Sequence, residues 1–148
     1  MKQAARRKRQ STVIQRPLVL VAEDHADTRL MLRLLLERRG FDVLEAADGE
    51  EALRLILDAR PDLVLLDSGL PRLDGVAVTR RVREQESPSR VPIVFFSGHA
   101  EPLARIAAFD AGCDEYLIKP DGLGGINTIL ERHLGRRANF TSTGANGQ

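Results

Sequence analysis

The chain has 148 residues, 43% of them hydrophobic and 29% charged, with a formal net charge of +1 and a single cysteine, Cys113. That is enough chain for one domain with a real core and too little for two ordinary ones, and a lone cysteine excludes an internal disulfide. No apolar run approaches the ~20 residues of a membrane helix, and Leu18–Ala22 after the basic start is too short for the core of a signal peptide, so a cytoplasmic location is expected.

Residues 1–16 carry Lys2, Arg6, Arg7, Lys8, Arg9 and Arg16 and no acid, a charge of +6 that leaves −5 for the rest of the chain. This arm is expected to be solvated and disordered. Docking to nucleic acid, anionic lipid or an acidic protein face stays open, so its partner is unknown. The first strand is Leu18–Ala22. Asp27 is placed to cap a helix whose apolar stripe is Leu30, Met31, Leu34 and Leu35, closed at Arg39-Gly40. Phe41–Glu45 reads as a second strand, Asp48-Gly49 as a turn, and Ala52, Leu53, Leu55, Ile56 and Ala59 as the stripe of a helix stopped by Pro61. The third strand, Leu63–Leu66, is apolar at consecutive positions, as a strand buried on both faces should be. Asp74-Gly75 opens a helix ending near Glu86, and Ser87-Pro88-Ser89 is a loop. The fourth strand, 93–96, precedes a helix over Pro102–Ala111 closed by Gly112, and the fifth strand is Glu115–Ile118. The last helix is expected over about 126–134, before a polar, disordered tail from Arg136 to Gln148. Strict alternation of strands and helices implies a doubly wound parallel sheet with right-handed crossovers and helices on both faces.

The strands stop at pointed residues. The first ends at Glu23-Asp24, the third at Asp67, the fourth at Ser97-Gly98 and the fifth at Lys119-Pro120. Parallel strands of an open sheet bring their carboxyl ends together, and ligands bind in the crevice there. One site is therefore expected to hold three acids, a hydroxyl and an amine, chemistry suited to a divalent cation and a phosphoryl group. A carboxylate such as Asp67 can attack phosphorus and carry it covalently. Mg²⁺ is a hard ion that takes carboxylate and carbonyl oxygens and keeps several waters. From residue 17 onward the chain uses fifteen Arg and one Lys, Lys119. A compact ammonium suits a crowded pocket better than a wide guanidinium fork.

Leu66–Gly75, Glu23-Asp24, Ser97-Gly98 and the run Ala111–Pro120 together closely resemble the response-regulator receiver domain, the phosphoacceptor module of two-component signalling. The resemblance covers residues 17–135 as a single domain. It implies a flavodoxin-like (βα)5 fold with sheet order 2-1-3-4-5. It also implies that Asp67 accepts a phosphoryl group from phosphohistidine on a histidine kinase or histidine phosphotransfer protein. The metal, Mg²⁺ with Mn²⁺ as an alternative, would be held by Glu23, Asp24, Asp67 and the backbone carbonyl of Gly69, with Asp24 the direct ligand and Glu23 the more water-mediated one, although its extra methylene over the more usual Asp could let it reach the ion itself. Ser97 and Lys119 would bind the phosphoryl oxygens, and Tyr116 would swing as the output face changes. Gly69 and His99 would tune phosphate lifetime, and the Lys119–Pro120 bond would be cis. The resemblance further implies a signalling switch that catalyses its own phosphoryl transfer and slow dephosphorylation rather than an enzyme acting on a separate substrate.

With no DNA-binding or enzymatic segment in the chain, output is expected through protein contacts, as a stand-alone regulator or relay intermediate, and not through nucleic acid bound by the folded domain. A phosphorylation-dependent dimer stays open, as does a degenerate receiver acting as a phosphorylation-independent binding module. A flavodoxin-like cofactor binder fits less well, because Glu23-Asp24-His25 would repel a phosphate without a metal. A phosphatase with an aspartate nucleophile would need an Asp-x-Asp pair after the first strand, where this chain has Glu23-Asp24-His25-Ala26. Two departures from the family pattern concern the output side. Gly98 replaces the usual Ala, and Asp121 stands where Phe is common. Gly122, Gly124 and Gly125 then delay and weaken the last helix.

Overall fold

The computed structural model describes residues 15–85, 90–119 and 122–135. In chain order the elements are β1 (Leu18–Ala22), α1 (Ala26–Arg38), β2 (Asp42–Ala46), α2 (Gly49–Ala59), β3 (Leu63–Leu66), α3 (Gly75–Gln85), β4 (Ile93–Ser97), α4 (Pro102–Ala111), β5 (Glu115–Ile118) and α5 (Gly122–Leu134). The strands form one sheet in the order β2-β1-β3-β4-β5, every pair parallel. This is the flavodoxin-like topology expected. Pro120, Asp121, the loop 87–89, most of the basic arm and the polar tail lie outside the described residues, as therefore does the expected cis bond. Among the described residues, no helix is long and apolar enough to cross a membrane.

Strand geometry explains the two cores. Successive side chains point to opposite faces, so Leu20 and Ala22 join Val64, Leu66 and Phe95 with Ile56, Val78 and Ala108 from α2, α3 and α4. Val19 and Val21 join Leu63, Leu65, Val94 and Phe96 with Leu32 and Leu36 of α1 and Ile126, Ile129 and Leu130 of α5. Cys113 is a buried bystander. Burial, then the charge of Asp114, pushes its thiol up to about 12, so it is inert at neutral pH.

Five local expectations are corrected. Helix α1 does not bury the stripe Leu30, Met31, Leu34 and Leu35. Leu32 and Leu36 face the sheet, while Leu30, Met31 and Leu34 are exposed. Six apolar residues wrap most of this helix, so periodicity does not choose the face. Leu32 and Leu36, with Leu35 packed partly buried beside them, set the face, and the ion pairs of Arg29 and Arg33 with Glu45 on β2, at 3.2 and 2.8 Å, accompany that rotation. Asp27 is not the cap, because that position belongs to His25, whose side chain makes no capping bond. Strand β2 begins and ends one residue later than expected. Helix α5 starts at Gly122 rather than near Ile126, so its glycines lie in the helix instead of delaying it. Arg16, counted with the arm by its charge, is in fact bound to the domain, pairing with Asp42 at 3.3 Å and donating to the Phe41 carbonyl at 3.2 Å.

The turn expected at Asp48-Gly49 is the start of α2. Asp48 caps α2 by accepting the Glu51 N–H at 2.8 Å, and Glu51 returns a bond from the Ala47 N–H at 3.1 Å, a reciprocal cap. Gly49 is required beside it, since a Cβ there would lie 1.6 Å from the Leu73 carbonyl oxygen.

Candidate functional site

The strand ends named from sequence converge. Parallel pairing sets Ala22 opposite Leu66, Leu66 opposite Phe95 and Ser97 opposite Ile118, so the residues just beyond share one edge. Backbone bonds carry the ladder past the strands. The Glu23 N–H donates to the Ala46 carbonyl, the Asp67 N–H to the Ala22 carbonyl and the Lys119 N–H to the Ser97 carbonyl, at 3.0, 3.0 and 2.8 Å. These bonds deliver the site side chains in fixed positions.

Glu23, Asp24 and Asp67 each offer a carboxylate oxygen, and these oxygens lie within 4.8 Å of one another. Their environments differ. Glu23 is buried, while Asp24 is exposed. The Glu23 carboxylate receives Lys119 Nζ at 2.8 Å on one oxygen and the His25 N–H at 3.0 Å on the other. Arg29 donates to the Glu23 backbone carbonyl at 2.7 Å, pinning the loop. Lys119 also lies 3.6 Å from Asp67 Oδ1. Burial, then the charge of Glu23, pushes the Asp67 carboxyl above its ordinary value, against the opposing pull of Lys119 and a bond from the Gly69 backbone. Three acids and one amine thus form a cluster with surplus negative charge. Hard oxygen donors crowded around a charge deficit fit a small divalent cation such as Mg²⁺.

At the end of β4, Ser97 is wholly buried. Its hydroxyl accepts the His99 N–H at 3.0 Å and lies 2.6 Å from the Ser68 hydroxyl. Tyr116 sits on the face of β5 opposite Lys119, as alternation requires, and is buried, its ring 5.8 Å from that of Phe95 and near parallel to it. Its hydroxyl still reaches the site loop, donating to the His99 carbonyl at 2.8 Å. The His99 ring is itself exposed. A Cβ at Gly69 or Gly98 would meet nothing within 4 Å, so both positions have room for a side chain.

Sequence pattern misses three contributors. Ser68 lies within the Leu66–Gly75 motif but, like Arg29, is given no role by it. Gly75 could be suspected only as a helix start, yet a Cβ there would lie 2.7 Å from the Asp67 carbonyl oxygen, and its N–H donates to the Ser68 carbonyl at 3.0 Å. Arg105, whose guanidinium stands 5.5 Å from the Tyr116 ring centroid, is another neighbour that spacing does not reveal.

A five-stranded doubly wound sheet with an acidic cluster and a lysine at its carboxyl edge defines the receiver class. The family model for the response regulator receiver domain matches residues 19–131, and the chain belongs to that family. Among curated relatives, the transcriptional regulatory protein PrrA of Mycobacterium tuberculosis is 36% identical over 89% of this chain and 56% of its own length. The KDP operon transcriptional regulatory protein KdpE of Escherichia coli is 39% identical over 84% of this chain and 54% of its own. The chain therefore spans about half the length of the curated relatives it matches. Among solved structures, the receiver domain of the sensor histidine kinase PA1611 from Pseudomonas aeruginosa aligns with a TM-score of 0.75 at 34% identity, covering 82% of this chain and 99% of that one. That receiver was crystallised with a magnesium ion coordinated in its active-site cleft.

Proposed function

We propose that this receiver accepts a phosphoryl group on Asp67 from a phosphohistidine of a histidine kinase or phosphotransfer protein. The observation that carries the proposal is the meeting of Glu23, Asp24 and Asp67 within 4.8 Å, with Lys119 between two of them. The magnesium ion of the Pseudomonas receiver supports it. Mg²⁺ or Mn²⁺ would be held by Glu23, Asp24, Asp67 and the Gly69 carbonyl, and when bound it offsets negative charge on the carboxylates and the incoming group.

The residues divide the work. An Asp67 oxygen attacks phosphorus, the phosphorus–nitrogen bond breaks, and its electron pair stays with the leaving histidine nitrogen, which takes a proton. Lys119 meets the phosphoryl charge, at the cost of loosening its bond to Glu23. Ser97 donates its hydroxyl to a phosphoryl oxygen. Positioning and electrostatics supply most of the rate in phosphoryl transfer. Tyr116 is bonded to His99 in the loop that follows Ser97, so a shift of that loop reaches β5 and α4. Gly69 and His99 border the path of the hydrolytic water.

Output then runs through a protein contact. The named relatives are transcriptional regulators of which the matched region makes up 56% and 54%, so the partner is either another segment of such a protein or a separate chain. The working location is cytoplasmic on the same reading. Incubation with acetyl phosphate and Mg²⁺ followed by intact mass tests the proposal. One phosphoryl adduct is expected, lost with EDTA and in Asp67→Asn. No adduct under any condition would leave a phosphorylation-independent binding module.

A further inference from the structure

Ser68 directly follows the acceptor, and nothing above uses its side chain. Its hydroxyl oxygen lies 2.6 Å from that of Ser97. A serine hydroxyl owns one hydrogen and two lone pairs. One lone pair of Ser97 takes the His99 N–H. The contact with Ser68 then uses either the second lone pair or the hydrogen. Ser97 is wholly buried, whereas Ser68 is half-buried and within reach of solvent. An unsatisfied buried donor is costly, while the Ser68 hydrogen can be given to water. The favoured arrangement has Ser97 donating to Ser68.

We infer that Ser68 is a positioning residue that competes with the phosphoryl group for the Ser97 hydroxyl. This rests on the phosphoacceptor reading of Asp67. A phosphoryl oxygen accepts but does not donate, so it engages Ser97 only through the same hydrogen that Ser68 holds. Breaking the pair opposes formation of the phosphoryl-bound arrangement. The Tyr116–His99–Ser97 connection then carries the break to β5. Ser68 sets the threshold of the switch without touching the metal ligands through its side chain.

The test is a beryllofluoride titration at fixed Mg²⁺, read by fluorine NMR, beryllofluoride standing in for the phosphoryl group. Ser68→Ala should bind it about 2- to 10-fold more tightly, the net worth of one neutral hydrogen bond. Ser68→Thr keeps the hydroxyl and should return affinity toward the parent value. In a Ser97→Ala background Ser68→Ala should have no effect, since the residue acts through Ser97. Affinity for Mg²⁺ alone should be the same in all variants. If the parent binds beryllofluoride and Ser68→Ala binds it equally or more weakly, the inference falls and the phosphoacceptor reading stands. A gain that persists without the Ser97 hydroxyl also overturns it. If the parent takes up no beryllofluoride, both fall together.

Discussion

Removing the charge of Asp67 should stabilise the fold, although it destroys the proposed chemistry. Asp67 faces two carboxylates at no more than 4.8 Å and one ammonium at 3.6 Å. At an effective dielectric of about 20, each repulsion is worth about 3.5 kcal/mol and the attraction about 4.6 kcal/mol, leaving roughly 2 kcal/mol of net repulsion. Lys119 is also closer to Glu23, at 2.8 Å, so its help to Asp67 is shared. The sign agrees with the raised Asp67 carboxyl, which burial and then the charge of Glu23 push up. An acid whose folded value is raised above its ordinary 3.8 costs stability when ionised, and that cost is relieved as pH falls. Asp67→Asn keeps an oxygen for the Gly69 N–H and removes the charge. In low salt with EDTA at neutral pH, its melting temperature should rise by roughly 4–8 °C, at about 2–4 °C per kcal/mol for a chain of this size. Saturating Mg²⁺ should then stabilise the parent more than the variant and close the gap, by ligand linkage. A variant that melts at or below the parent in EDTA would refute the reasoning, because the acids would then not be repelling one another.

Replacing Gly69 with Ala should leave the melting temperature unchanged, since a Cβ there meets nothing within 4 Å, and should alter the decay rate of the radiolabelled phosphoprotein. Gly49→Ala should lose about 3 kcal/mol in urea denaturation, at the upper end of overpacking costs, because its Cβ would collide with the Leu73 backbone. The Glu115 carboxyl is pushed up by burial, but the hydrogen bonds and charges of Arg132 and His133 outweigh this and hold it below its ordinary 4.5. A folded value below the unfolded one gives stability that is full above 4.5 and lost as pH falls below it. Acid denaturation of Glu115→Gln should therefore be less steep below pH 4.5 than that of the parent.

The architecture was legible because two signals agree along the chain. Runs such as Leu63–Leu66 are apolar on consecutive positions, which a parallel central strand needs and an exposed strand cannot use. Each such run stops at a polar residue with a chemical use, so Asp67, Glu23, Asp24, Ser97 and Lys119 could be named before any coordinates. Where local pattern was ambiguous, tertiary contacts decided. Helix α1 is apolar on most sides, and the fit of Leu32 and Leu36 into the core beneath the sheet decides which side is buried, with Arg29 and Arg33 left to pair with Glu45. Glycines at the start of α5 lower helix propensity, yet Ile126, Ile129 and Leu130 bury a full face against the sheet, which outweighs it. The contacts of Ser68 and Gly75, both inside the Leu66–Gly75 motif, were beyond reach for another reason. Their importance is a distance to a residue on a different element or across a loop, and no spacing rule encodes it.

The central claim is that Asp67 itself carries the phosphoryl group. Treating the acetyl-phosphate-modified protein with borohydride reduces an acyl phosphate to an alcohol and marks the residue permanently. Peptide mapping should find aspartate converted to homoserine at position 67, dependent on Mg²⁺, with the other acids unmarked. Conversion at Glu23 or Asp24, or none at all in a folded sample, would contradict it.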